Sequence, residues 1–161
     1  MTYRIRGLEP AQFAPLFEMD EVALESALAS RVIAGPEGRY PCRVSLRDAD
    51  PGEELVLVHF TNHAVDTPYR NAFAIFVRKD ADAAAECVDA LPPVLRGRPI
   101  ALRCYAFDGT LHRAALALDD NVDAVLRDLL ADEAVGYIDA HNAMHGCFAA
   151  RIERYDGDCD V

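Results

Sequence analysis

Residues 99–118 read PIALRCYAFDGTLHRAALAL, and this stretch decides the fold. Two apolar-rich runs, Pro99 to Phe107 and Leu111 to Leu118, flank Asp108-Gly109. An Asp-Gly pair between such runs marks a β-hairpin, because a type I′ turn needs positive φ at both central residues. Immediately downstream, Val122, Val125, Leu126, Leu129 and Leu130 recur at i, i+3, i+4, i+7 and i+8. That spacing puts all five on one face of a helix, and Asp119 and Asp120 suit its start electrostatically.

Upstream, Glu54 to Thr61 carries Leu55 and Leu57 on one face and Val56, Val58 and Phe60 on the other, so it belongs in the middle of a sheet. Ala72 to Lys79 is its expected neighbour. Tyr3 to Leu8, Ser30 to Ala34 and Cys42 to Leu46 read as short strands, with Gly35, Pro36 and Gly38 between the last two and a turn at Asp50-Pro51-Gly52. Asp20 reads as the N-cap of a helix near 20–29, with Met19 and Leu24 placed as a hydrophobic staple. Ala81 to Ala90 has helix-forming composition, and Val94 to Arg96 adds one short turn. Val135 to Asn142 and Cys147 to Tyr155 form a second hairpin around the loop 143–146. The helices fall between groups of strands without a βαβ beat, which predicts a single α+β domain over 1–155 on a largely antiparallel sheet with two or three helices. An acidic tail, 156–161, follows.

The 161 residues are enough to bury a core without disulfides or a structural metal. Sixteen basic against 27 acidic residues give a net charge of −11, divided as −2 over residues 1–79 and −9 over 80–161. A strongly acidic chain with no basic run is a poor partner for nucleic acid and for anionic membrane surfaces. The N-terminus lacks a signal peptide's apolar core, and no apolar run approaches the ~20 residues that cross a bilayer. Cys42, Cys87, Cys104, Cys147 and Cys159 are odd in number and form no Cys-x-x-Cys pair, which fits free thiols in a reducing compartment. A cytoplasmic location is expected.

Three stretches gather polar residues: Tyr40-Pro41-Cys42-Arg43, Asp66-Thr67-Pro68-Tyr69-Arg70, and His141-Asn142-Ala143-Met144-His145-Gly146-Cys147. If Asn142 closes the last hairpin opposite Cys147, then His141 faces Phe148, Ala140 faces Ala149 and Ile138 faces Arg151. Asn142, Cys147 and Arg151 then share one face, and Tyr137, Asp139 and His141 share the other. A one-residue slip would change every pairing. A catalytic reading makes Cys147 the nucleophile, with Asn142 as a donor to the oxyanion and Arg151 or a histidine such as His141 as activator. The alternative is an inert buried thiol beside a tight turn. A ligand-binding reading uses Cys42, Arg43, Tyr69, Arg70 and Arg151, since arginine forks hold carboxylate or phosphate bidentately. Its alternative is internal ion pairing with acids such as Asp48, Asp66 or Asp139.

The spacings His59/His63 and His141/His145 lie at strand ends and loops, where His-x-x-x-His guarantees no convergence. No metal site is assigned. His59, on the face of Leu55 and Leu57, reads as a hydrogen-bonded core histidine and His112 as a solvated one. No Gly-x-Gly-x-x-Gly or phosphate-loop pattern occurs, and no cofactor is assigned.

Taken in order, Pro41-Cys42-Arg43, Ser45-Leu46, Asp48-x-x-Pro51-Gly52-Glu53, Pro68-Tyr69-Arg70, His141-Asn142-Ala143, Gly146-Cys147 and Arg151 resemble the domain of unknown function 1203 family. The resemblance spans nearly the whole chain. It implies a small single-domain bacterial protein and supplies no mechanism. Two functions remain open. One is a cytosolic protein or enzyme acting on a small molecule, with carboxylates and phosphates as the candidate class, in a Cys/Arg/His/Asn pocket. The other is a non-catalytic acidic interaction or regulatory protein, for instance a homodimer formed by pairing sheet edges.

Overall fold

A computed structural model describes residues 1–118 and 121–157. Among them nine strands form two antiparallel sheets, giving an α+β domain. The strands are β1 (Tyr3–Arg6), β2 (Ala29–Ile33), β3 (Glu54–His63), β4 (Asn71–Arg78), β5 (Glu86–Val88), β6 (Ile100–Tyr105), β7 (Leu111–Ala117), β8 (Tyr137–Asn142) and β9 (Phe148–Arg154). The larger sheet has the order β5-β1-β9-β8-β6-β7 and the smaller β2-β3-β4. The two-sided apolar strand β3 lies at the centre of the smaller sheet, as its sequence requires. Helices α1 (Ala14–Phe17), α2 (Glu21–Ser26) and α3 (Val122–Leu130) complete the fold with two 3₁₀ turns, Pro10–Gln12 and Pro93–Leu95.

The apolar stripe of α3 packs on one face of the larger sheet. Val122, Leu126, Leu129 and Leu130 meet Ile100 and Leu102 of β6, Ile138 and Ala140 of β8, and Ile152 of β9. Arg154 holds the end of this helix. Its guanidinium donates to the carbonyl of Leu130, one of those a helix C-terminus leaves without partners, and to the carbonyls of Asp132 and Val135 just beyond. Asp119 and Asp120, expected at the start of the same helix, lie outside the described residues. Residues 158–161, with Cys159 and most of the expected tail, also lie outside.

A second core fills the space between the smaller sheet and the N-terminal helices, where Val56, Val58, Ile75 and Val77 meet Phe13, Leu16 and Leu24. Asp20 caps α2, its carboxylate accepting from Ala23 N at 2.8 Å. That helix ends at Ser26, and Leu28 reverses the chain with φ of 52° into β2.

Four expectations are corrected. Ala81 to Ala90 is not a helix: β5 adds to the edge of β1 with Cys87 opposite Ile5. Its alanines offer a helix almost no apolar stripe, and so short an isolated helix is marginal, whereas β1 supplies ready backbone partners. Cys42 to Leu46 is not a strand but a turn-rich segment tied by single bridges, Pro41 to Asp48 and Cys42 to Phe76. The Asp108-Gly109 turn is not type I′. Only Gly109 has positive φ, at 83°, with Gly109 N bonded to Ala106 O and Ala106 N to Thr110 O. This is the three-residue hairpin in which a type I turn ends on a left-handed glycine, and Asp108 holds it by accepting from Thr110 N and Oγ1.

The fourth correction concerns the β8–β9 hairpin. It closes as expected, Asn142 N bonding Cys147 O at 2.9 Å and His141 facing Phe148. A bulge then intervenes, so that Ala140 faces Ala150, Asp139 faces Arg151 and Ile138 faces Ile152. One extra residue flips every later side chain. Arg151 therefore leaves the face of Asn142 and Cys147 and joins that of Asp139.

Candidate functional site

A cleft of about 550 Å³ opens where the two sheets meet. Its apolar walls come from the smaller sheet, through Leu57 of β3 and Phe73, Ala74 and Phe76 of β4, and from Met144 in the β8–β9 loop. Its polar side chains come from three separate segments: Arg39 and Arg43; Arg98; and Asn142, His145 and Cys147. The volume lies in the ordinary range for small-molecule sites, and a mainly apolar lining with few polar groups is their usual composition.

Arg43 is one of the lining residues. It is 2% exposed, and among the described residues no carboxylate pairs with it. Instead Nε donates to Phe148 O at 2.7 Å, Nη1 donates to Pro41 O, and Nη2 donates to Cys147 Sγ at 3.1 Å. Burial pulls its pKa down from the usual arginine value, opposed chiefly by the Cys147 sulfur. Each of the three guanidinium nitrogens thus has a partner. Arg98, 9% exposed, is paired through Nη2 with Asp48 at 2.5 Å. Its buried Nε has no acceptor among the described residues.

Asn142 stands opposite Cys147 at the end of the hairpin. Its Oδ1 accepts from Met144 N at 3.1 Å and His145 N at 3.5 Å, which folds the loop. The amide Nδ2 has no partner among the described residues. Gly146, at φ 77°, supplies the left-handed step that returns the chain to Cys147.

Of the residues expected to form one pocket, Arg43, Asn142 and Cys147 come together and the others do not. Cys42 is wholly buried, its Sγ accepting from Val44 N, Ser45 N and Arg78 N at 3.3–3.5 Å. His141 is buried on the opposite face of β8, with Nδ1 bonded to Gly146 O at 3.0 Å and Nε2 unpartnered. Desolvation lowers its pKa to about 4, and Arg103 adds to that. Arg151 forms an ion pair with Asp139 at 2.8 Å and lies over the Tyr137 ring. Arg70 is exposed and pairs loosely with Asp66 at 3.8 Å, and Tyr69 contributes its carbonyl to His63 Nδ1. His63 also meets Tyr137 Oη through Nε2 at 2.8 Å and stacks on Tyr105. This second polar cluster joins the end of β3 to β8, with Asn62 donating to Asp139 at 3.1 Å.

His59 is exposed, against expectation. Burial on its face falls from Leu55 through Leu57 to His59, and the histidine buried at this strand end is His63. His112 is not merely solvated, because its Nε2 pairs with Asp132 at 2.8 Å. Among the described residues no three His, Cys, Asp or Glu side chains gather as a metal ion would require, and no helix is long and apolar enough to cross a membrane.

Arg39 and Arg98 stood outside the three polar stretches, and the cleft adds them. Glu53 has a different role. It accepts from Arg78 through both Nε and Nη2, and from Arg47 and Asp50 N. Asp48 to Glu53 thus braces the cleft wall from behind. The profile of a family described as a protein of unknown function, DUF1203, matches residues 39–154. The chain belongs to this family. The match takes in every polar segment of the cleft, from Arg39 to Cys147. No curated protein and no solved structure matches the chain.

Proposed function

We propose that this member of the DUF1203 family binds a small molecule that combines an anionic group, carboxylate or phosphate, with an apolar body. The observation that carries this reading is Arg43: a buried guanidinium without a carboxylate partner among the described residues, lining an apolar cleft. A buried cation is costly unless an anion or strong acceptors compensate it. Carbonyls and a thiol supply part of that compensation, and an anionic guest would supply the rest. Arg39 adds positive charge on the same cleft, in a protein whose net charge is −11, while Arg98 beside it is paired with Asp48. The apolar body would lie against Leu57, Phe73 and Phe76. The four described cysteines are all unpaired, and free thiols support placing this role in a reducing cytoplasm.

The test is thermal unfolding with arylalkyl carboxylates and phosphates beside their neutral amides and alcohols. A ligand at about 100 times its Kd stabilises by about 2.7 kcal/mol, and the anions should raise Tm where the neutral analogues do not. Arg39→Met should weaken the shift. Equal shifts for charged and neutral compounds, or none for either, would overturn the reading.

A further inference from the structure

We propose that Cys147 is a nucleophile toward carbonyl compounds that carry an anionic group, adding reversibly to the carbonyl carbon of a ligand held in the cleft. The inference rests on the binding reading above and names the class of its substrate.

Three observations support it. Cys147 lines the cleft, whereas Cys42 and Cys104 are completely buried elsewhere. Its Sγ receives a hydrogen bond from the charged Arg43 at 3.1 Å, which fixes the sulfur at the cleft wall. Cys104, by contrast, has no such donor, and burial pushes its thiol up to about 11. Asn142, the cross-strand partner of Cys147, has an Nδ2 without a partner among the described residues, which could donate to a developing oxyanion. Independently of the sulfur, Arg98 is nine-tenths buried in the cleft wall with an Nε–H that lacks an acceptor among the described residues. Its Nη2 is already paired with Asp48, so the guanidinium that no carboxylate pairs among the described residues is that of Arg43.

The step balances without a co-reactant. The Cys147 thiol releases its proton and the sulfur attacks the carbonyl carbon, forming the S–C bond. The C=O π pair moves to oxygen, which receives a hydrogen bond from Asn142 and takes up a proton. Thiol plus carbonyl gives a hemithioacetal, with no oxidation or reduction. Arg39 directs the anionic group so that the carbonyl faces Sγ.

The experiment follows alkylation of each cysteine in the native protein by iodoacetate and by iodoacetamide, mapped by peptide mass spectrometry. Cys147 should react at least about ten-fold faster than Cys104. It should also favour the anionic reagent, relative to the urea-unfolded chain, by about five-fold or more. Arg39→Met, a change at an exposed residue, should reduce that preference while iodoacetamide still labels. The aldehyde acid 4-oxobutanoate should protect Cys147, and dilution should restore labelling. A Cys147 no faster than Cys104, a preference equal to that of the unfolded chain, or no protection would each overturn the proposal. Cys147→Ser separates the two readings. If it retains the carboxylate-induced rise in Tm while the wild-type thiol is inert, only the nucleophile fails; if the rise is absent in both proteins, both fail.

Discussion

Arg43 Nη2 and Cys147 Sγ lie 3.1 Å apart although 104 residues separate them in sequence. The same guanidinium donates to Phe148 O and Pro41 O, so one side chain fastens the turn-rich segment around residue 42 to the start of β9. Its stabilising and functional roles make opposite demands on a replacement. A buried cation that is merely tolerated gains stability when a hydrophobe of similar size replaces it. One that satisfies buried carbonyls loses it.

Arg43→Met should therefore destabilise the protein by about 2–4 kcal/mol, since hydrogen bonds from charged donors contribute roughly 1.5–3 kcal/mol each. Arg43→Lys should recover only a small part, because an ammonium cannot span three acceptors set out for a planar fork. Urea unfolding midpoints at constant m measure this. A neutral or stabilising Arg43→Met would show that the carbonyl contacts are not what keeps the arginine.

Glu53 and Arg78 form the brace behind the cleft. The Arg78 hydrogen bonds hold the Glu53 carboxyl well below its usual 4.5, at about 2. A depressed folded pKa contributes stability that is complete above the unfolded value and disappears as pH falls through the folded one. Stability should accordingly drop between pH 4.5 and about 2 on account of Glu53. Glu53→Gln should be less stable at neutral pH and show a shallower decline across that window, read by urea titrations at a series of pH values.

Much of the fold is legible because it rests on local periodicity. The stripe Val122 to Leu130, the two-sided strand over Glu54 to Thr61 and the cap at Asp20 each state their partner in a few residues. The site is less legible because its decisive contacts are not local. Nothing near Arg43 in sequence announces Cys147, and Arg98 enters the cleft only because the segment before β6 runs past the β8–β9 loop. Ala143 N bonds Pro99 O there. The bulge that moved Arg151 from Cys147 to Asp139 has no glycine or proline to mark it. Ala149 and Ala150 read equally well in either register until Asp139 and Arg151 pair. In Ala81 to Ala90, composition favoured a helix, but the open edge of β1 outweighed an alanine-rich propensity.

The hairpin turn gives a sharp test of its type. In a type I′ turn Asp108 would have positive φ, and Asp108→Gly would be harmless or favourable. Here Asp108 accepts two hydrogen bonds from Thr110, so Asp108→Gly should cost about 1 kcal/mol. Gly109→Ala should cost about 1–2 kcal/mol from left-handed strain, with the added Cβ meeting Val65 Cγ1 at 2.7 Å. Equal stability of Asp108→Gly and the wild type would contradict the observed turn.

His141 predicts an acid response in a higher window than Glu53. Desolvation, aided by Arg103, lowers its pKa from 6.5 to about 4. Its Nδ1–H donates to Gly146 O, and Nε2 is buried without a partner. The unfolded chain takes up a proton below pH 6.5, while the folded chain resists it until about pH 4. Stability is thus complete above the unfolded value and falls across that interval by on the order of 3 kcal/mol. Protonation keeps the Nδ1–H bond to Gly146 O and adds an N–H at the buried Nε2, which has no partner among the described residues, so the cost falls on that side of the ring. The His141 ring resonances should titrate near pH 4 in the native protein, and His141→Gln should flatten the stability profile between pH 6.5 and 4. A midpoint close to 6.5 would mean that the ring reaches solvent.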